Sequence, residues 1–182
     1  MSEIVKKYTK GDETLTIKYD ESPESPREWD NLGTCVFLGG YSNLGDKHDI
    51  DNVKDANRIE KKHISLPVYM YSHSGETIAT TPFSCPWDSG KLGFIYITNE
   101  KVRNEYGWKR ISAKRKEQIL GYLKNEITTL DHYVRGDVYG FEHNKLDEEL
   151  DSCWGFYGDN FNQIFDEIDE KIEDWTEVEI ED

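Results

Sequence analysis

The stretch Leu66–Thr98, LPVYMYSHSGETIATTPFSCPWDSGKLGFIYIT, decides the fold. Leu66 to Tyr71, Thr77 to Thr80 and Leu92 to Thr98 read as strands, and His73-Ser74-Gly75 and Asp88-Ser89-Gly90 between them are turn signals. Upstream, Thr34 to Leu38 is a short apolar run ended by Gly39-Gly40, the pattern of a buried strand. Thr14 to Tyr19 alternates polar and apolar, which predicts another strand. Between these two lies a loop, Glu21 to Pro26, because Pro23 and Pro26 each push the preceding residue out of the helical region. Asp51 to Lys61 carries Val53, Ala56 and Ile59 on one side and predicts a modest helix.

Downstream, Ser112 to Arg135 predicts the clearest helix. Ser112 is an N-cap residue, Gly136 stands where a C′ glycine belongs, and Ile119, Leu120, Leu123, Ile127, Leu130 and Val134 make one apolar stripe. Val138 to His143 and Cys153 to Tyr157 read as paired strands joined by the acidic segment Asn144 to Asp151. Asn160 to Trp175 predicts an amphipathic helix, with Phe161, Ile164, Phe165, Ile168, Ile172 and Trp175 on one face. The tail Glu177 to Glu181 alternates, and either adds an edge strand or frays. Hairpin-like turns dominate the middle and the helices come late. The expectation is therefore α+β: one domain over residues 1–182, a mainly antiparallel sheet flanked by two to three helices, with an acidic C-terminal amphipathic helix.

The chain has 182 residues, enough for a sizeable core, and its 5 Trp, 11 Tyr and 7 Phe exclude a disordered composition. No window is apolar enough to span a membrane, and the first residues lack the apolar region of a signal peptide, so the expected location is the cytoplasm. Cys35, Cys85 and Cys153 are odd in number and far apart, which predicts reduced thiols rather than a disulfide framework or a zinc ribbon. Asp46 to Asp51 lacks the spacing of a calcium loop and reads as a helix-start turn. No cofactor or metal is expected.

Charge is the most informative feature. The net charge is −15, yet Glu142 to Asp182 holds 16 acidic and two basic residues, a balance of −14 in 41 residues, and the rest of the chain stands at −1. A buried apolar stripe would hold Asp166, Glu167, Asp169, Glu170, Glu173 and Asp174 outward as a fixed array resembling a phosphate backbone; Asp147, Glu148 and Glu149 add to it. The competing view is an ordinary solvated face. The opposite sign gathers at Lys109, Arg110, Lys114, Arg115 and Lys116, three of them in the first turn of the long helix, where cations oppose the helix macrodipole. They form a candidate patch for RNA or an acidic protein, or pair internally. His73, Arg27 and Asp88 supply imidazole, guanidinium and carboxylate for general acid–base cleavage of a phosphodiester, although no spacing enforces that use.

Ser25-Pro26-Arg27-Glu28-Trp29-Asp30-Asn31-Leu32-Gly33-Thr34, with Thr80 to Gly90, Gly93 to Thr98 and Tyr133 to Phe141, resembles a family of small proteins of phages and mobile elements of Gram-positive bacteria, over roughly residues 15 to 160. In size and charge the chain also resembles type II-A anti-CRISPRs, inhibitors of the RNA-guided nuclease Cas9. The resemblance implies a protein that binds Cas9 or its guide-RNA complex and blocks DNA or guide engagement. A ribonuclease acting on guide RNA and a non-enzymatic mobile-element adaptor stay open beside it, and so does the question of enzyme activity.

Overall fold

The computed structural model describes residues 2–50 and 52–180. It is α+β, with nine strands in two antiparallel sheets and four α-helices among the described residues. The chain forms two compact units, one from the residues up to Glu24 together with those from Gly136 onward, the other from Ser25–Arg135.

In the first unit, β1 (Ile4–Lys10) and β2 (Glu13–Tyr19) form a hairpin. The second hairpin comes from the far end of the sequence, β7 (Val138–Lys145) with β8 (Glu148–Tyr157). Strand β2 pairs with β7 from Glu13↔Lys145 to Tyr19↔Tyr139, and the two-residue strand β9 (Thr176–Glu177) pairs with β1, giving the order β8-β7-β2-β1-β9. Leu15, Ile17, Tyr139 and Phe141 face one side and pack with Tyr8, Ile164, Phe165 and Trp175. The buried His143 donates to the Glu13 carboxylate at 3.1 Å, and its ring meets Trp175 edge-on, so this polar residue is satisfied inside an apolar layer.

The acidic C-terminus departs from the single helix the periodicity predicts. Helix α4 covers only Asn162–Glu167 and a 3-10 turn follows at Ile172–Asp174. The break is a left-handed cap. Asp169 has φ 56°, its N–H bonds the carbonyl of Asp166, and the Glu170 N–H reaches back to the carbonyl of Phe165 at 2.8 Å. Glycine normally takes that position, but aspartate tolerates it, so the stop leaves no glycine signal. The apolar set still packs on the sheet, with Ile164, Phe165 and Trp175 buried and Phe161, Ile168 and Ile172 partly so, carried by two short turns instead of one helix. The acidic segment Asn144 to Asp151 is likewise strand rather than connection, apart from the two-residue turn Leu146-Asp147.

In the second unit, β3 (Thr34–Phe37), β6 (Ser89–Ile97), β4 (Ile64–Ser72) and β5 (Glu76–Ala79) form an antiparallel sheet in the order β3-β6-β4-β5. Alternation along the strands sends Cys35, Phe37, Ile95 and Ile97 toward α3 (Ala113–Arg135), which presents Ile119, Leu123, Ile127 and Leu130. Val36 and Phe94 point the other way, toward Ala56 of α1 (Val53–Lys62), which is capped by Asn52. The predicted start of this helix at Asp51 lies outside the described residues, as does Glu181 at the end of the predicted tail strand. Helix α2 (Asn99–Tyr106), capped by Thr98, escapes a periodicity reading because Val102 is its one buried residue. No described helix is long and apolar enough to cross a membrane.

Gly93 is required where β6 passes β3, since a Cβ there would meet the Val36 carbonyl oxygen at 2.0 Å. Gly121 of α3 has open space around it. Gly93→Ala should therefore cost about 1–3 kcal/mol of stability through overpacking, whereas Gly121→Ala should add about 0.5–1 kcal/mol through helix propensity. Urea midpoints followed by circular dichroism check both signs.

Candidate functional site

Three groups of charged side chains carry the functional question. The first is centred on Arg27, in the 3-10 turn Pro26–Glu28. Ser25 caps this turn by accepting from the Arg27 N–H, Pro26 supplies its fixed φ at the start, and the Asn31 amide closes the loop by donating to the carbonyls of Pro26 and Trp29. The guanidinium, only 5% exposed, donates to Asp46 through Nε at 3.2 Å and through a terminal nitrogen at 2.6 Å. It also donates to Glu126 on α3 at 2.9 Å and to the carbonyl of Gly33 at 2.8 Å. The carboxylates bind backbone as well. Glu126 accepts from the N–H groups of Leu32 and Gly33, and Asp46 from that of Cys35. Burial alone would lower the arginine pKa; the neighbouring charges and the hydrogen bonds to Asp46 and Glu126 reverse this and hold it above its ordinary value. Burial also pushes the Cys35 thiol up, so it stays protonated at neutral pH. A cleft of about 600 Å³ opens beside this cluster, lined by Ser25, Glu28, Ser42, Asn43 and Tyr133 among others.

His73, Arg27 and Asp88 do not form one centre. His73 Nδ1 lies 3.7 Å from Asp88 Oδ2 on an exposed turn, with 64% of the imidazole side chain open. Asp88 also accepts from the Cys85 thiol at 3.3 Å, and its carbonyl takes the Ser72 N–H. Arg27 spends its donors on Asp46, Glu126 and Gly33. Its partner Asp46, read from the sequence as part of a helix-start turn, is the residue that sequence reasoning missed. Nothing in the spacing marks it, because its role is set by Arg27 and by β3. Among the described residues, no group of three or more His, Cys, Asp or Glu is arranged to hold a metal.

The second group is the acidic surface of the first unit. Asp147, Glu148, Glu149, Asp166, Glu167, Asp169, Glu173 and Asp174 are all exposed. Glu170 differs, being half-buried and paired with Lys10 at 2.5 Å. Glu177 and Glu142 are similarly taken by Lys6 and Lys18. The other eight enter no ion pair among the described residues. The β7–β8 turn adds an apolar point: Leu146, 75% exposed, sits at φ 52°, where a glycine is the usual choice. Leu150 and Trp154 are also open along β8.

The third group is basic and belongs to the second unit. Lys109, Arg110, Lys114 and Lys116 are exposed and enter no ion pair among the described residues. Arg115 does not join them as a free cation. Its guanidinium lies over the Trp108 ring at 4.6 Å and donates to the carbonyl of Arg110 at 2.8 Å. Ser112 caps α3 as expected, accepting from the Arg115 N–H at 3.3 Å.

No protein-family model, no curated protein and no solved structure matches the chain.

The Arg27 cluster predicts a stability effect. Arg27→Met leaves two half-buried carboxylates without a cation, 21% and 15% exposed, and should cost up to about 3 kcal/mol, the low end for a broken buried pair. Arg27→Lys keeps the charge but loses the fork and should fall between. Both are read from chemical denaturation; an unchanged midpoint for Arg27→Met would remove the structural role.

Proposed function

We propose that this chain is a non-enzymatic binding protein that presents a polyanion-like surface and inhibits a type II-A Cas9 in the bacterial cytoplasm. The observation that carries the reading is the set of eight outward carboxylates on the β7–β8 turn and the C-terminal segment that enter no contact ion pair among the described residues. Side chains kept only for solubility need no such fixed backing. Here Ile164, Phe165 and Trp175 anchor the segment beneath, so the charges are held in place before any partner arrives.

Cas9 holds its guide–target duplex in a positively charged channel and reads its short flanking motif with arginines. A rigid anionic surface competes for such a channel through the same long-range field that draws nucleic acid there. The exposed Leu146, followed in the chain by Asp147, Glu148 and Glu149, supplies what charge alone lacks: an apolar point to anchor the contact.

DNA cleavage by Cas9 and guide RNA, titrated with this protein at moderate salt, tests the proposal. Cleavage should fall at stoichiometric amounts, and inhibition should weaken as salt rises. Neutralising Asp166, Glu167, Asp169, Glu173 and Asp174 together with Asn and Gln should raise the inhibitory concentration about tenfold, since five contacts at about 0.3 kcal/mol each reach that factor. Full cleavage at large molar excess against several Cas9 orthologues sinks the proposal.

A further inference from the structure

The loop between α2 and α3 builds more than a basic patch. Gly107, in the left-handed conformation at φ 63°, turns the chain so that Tyr106 and Trp108 stack on one another at 4.6 Å with 24° between planes. Tyr106 also lies nearly parallel to Tyr122 of α3, 6.3 Å away and only 8° off. With Arg115 over Trp108, this makes a column of guanidinium and three rings. Gln118 donates to the Tyr122 hydroxyl at 2.7 Å and fixes the last ring, which is 39% exposed.

Beside Tyr122 is a groove of about 280 Å³ walled by Trp29, Asn31, Asn125 and Thr129. That is just under the lower end of small-molecule sites, about 300 Å³, and suits one planar group. The Asn31 Nδ2 is committed to two carbonyls, which leaves its oxygen as an acceptor. Asn125, exposed, offers an amide with no side-chain partner among the described residues. Lys114 lies eight residues before Tyr122 on the same helix, about 12 Å at 1.5 Å per residue. That distance corresponds to about three nucleotides of a single strand at 3.4 Å each, fewer when it is extended.

We infer that this surface binds single-stranded nucleic acid: an unpaired base stacks on Tyr122 in the groove beside Trp29, and the adjoining phosphates run toward Lys114 and on to Lys109 and Arg110 of the preceding loop. The combination selects the ligand. Phosphates alone would need only the cations, and an acidic protein would make no use of the ring column. A duplex hides the base faces that an aromatic platform takes up. The cations in the first turn of α3 work against the macrodipole, so the helix is less stable for having them there. This inference does not rest on the acidic surface, and its test contains no nuclease.

The test is fluorescence anisotropy of the whole chain with labelled U12 and dT12, set against a 12-base-pair duplex and polyglutamate at 50 mM salt. Either single strand should bind, quench tryptophan emission, and outcompete the duplex; a preference between the two reports a contact to the 2′-hydroxyl. Tyr122→Ala should weaken binding about five- to 150-fold, the usual worth of one stacked base, while Tyr122→Phe, which keeps the ring and loses only its bond to Gln118, should bind much more tightly than Tyr122→Ala. Replacing Lys109 and Lys114 by Ala should lower the slope of log affinity against log salt by about 1.4. No binding of either strand, or affinity for duplex or polyglutamate equal to that for single strands and indifferent to Tyr122→Ala, overturns the inference. Should Tyr122→Ala alter the circular dichroism, the lysine pair and the tryptophan quench decide instead.

Discussion

One buried guanidinium holds the second unit to its design. Arg27 reaches Asp46, Glu126 and the Gly33 carbonyl at once, linking the loop after the first hairpin, the segment after β3 and the middle of the long helix α3. Burying a charge is costly, and what makes it tolerable is that both carboxylates are also held by backbone N–H groups. The cluster carries one positive and two negative charges, so those N–H donors offset the surplus. The short motif from Ser25 to Asn31 acquires a physical meaning: cap, fixed φ, guanidinium and loop-closing amide each do a separate structural task. Arg27 is thereby a framework residue, and the imidazole–carboxylate pair at His73 and Asp88 stands without it.

Charge is managed differently in the two units. In the first, Lys6, Lys10 and Lys18 neutralise the carboxylates nearest the sheet, while those on the turn and beyond α4 face outward unopposed. In the second, Glu60 takes Lys91 and Asp131 holds the edge strand β5 through the Thr77 hydroxyl and the Ile78 N–H, yet the cations around the start of α3 are left open. Both open sets lie on surfaces backed by packed apolar residues. That is the feature that makes them candidates for recognition rather than solubility alone.

The strands of the second unit were legible because alternation and turn residues are local: β3, β4, β5 and β6 overlap the runs from Thr34 and Leu66 to Thr98, although β6 already begins at Ser89, inside the expected turn Asp88-Ser89-Gly90, where pairing with Tyr71 and Met70 extends it. Helix α3, with its Ser112 cap and Gly136 at φ 77°, was equally legible. Strand β1 was not read, since IVKKYTK carries lysines on positions that only its pairing with β2 and β9 explains. The C-terminal helix was read too long because the stop at Asp169 is a backbone conformation, and no residue type announces it. The site was the least legible part. Arg27 meets Asp46 and Glu126 across 19 and 99 positions, and the ring column joins Tyr122 to Tyr106 and Trp108 from another element. Such meetings are tertiary facts, outside any window of local pattern.

The pairing of β2 with β7 sets an order of events at the ribosome. Strand β2 emerges early, but its neighbour Val138–Lys145 is made only after all of Ser25–Arg135 has been synthesised. The inserted unit can collapse on its own contacts first, whereas the β1–β2 hairpin must wait with both edges unmatched, since β9 also comes late. An isolated two-stranded hairpin is marginal in water, and its exposed edges invite wrong partners. The four lysines on that waiting pair, Lys6, Lys7, Lys10 and Lys18, give the nascent segment a repulsive coat until acidic counterparts such as Glu142, Glu170 and Glu177 are translated.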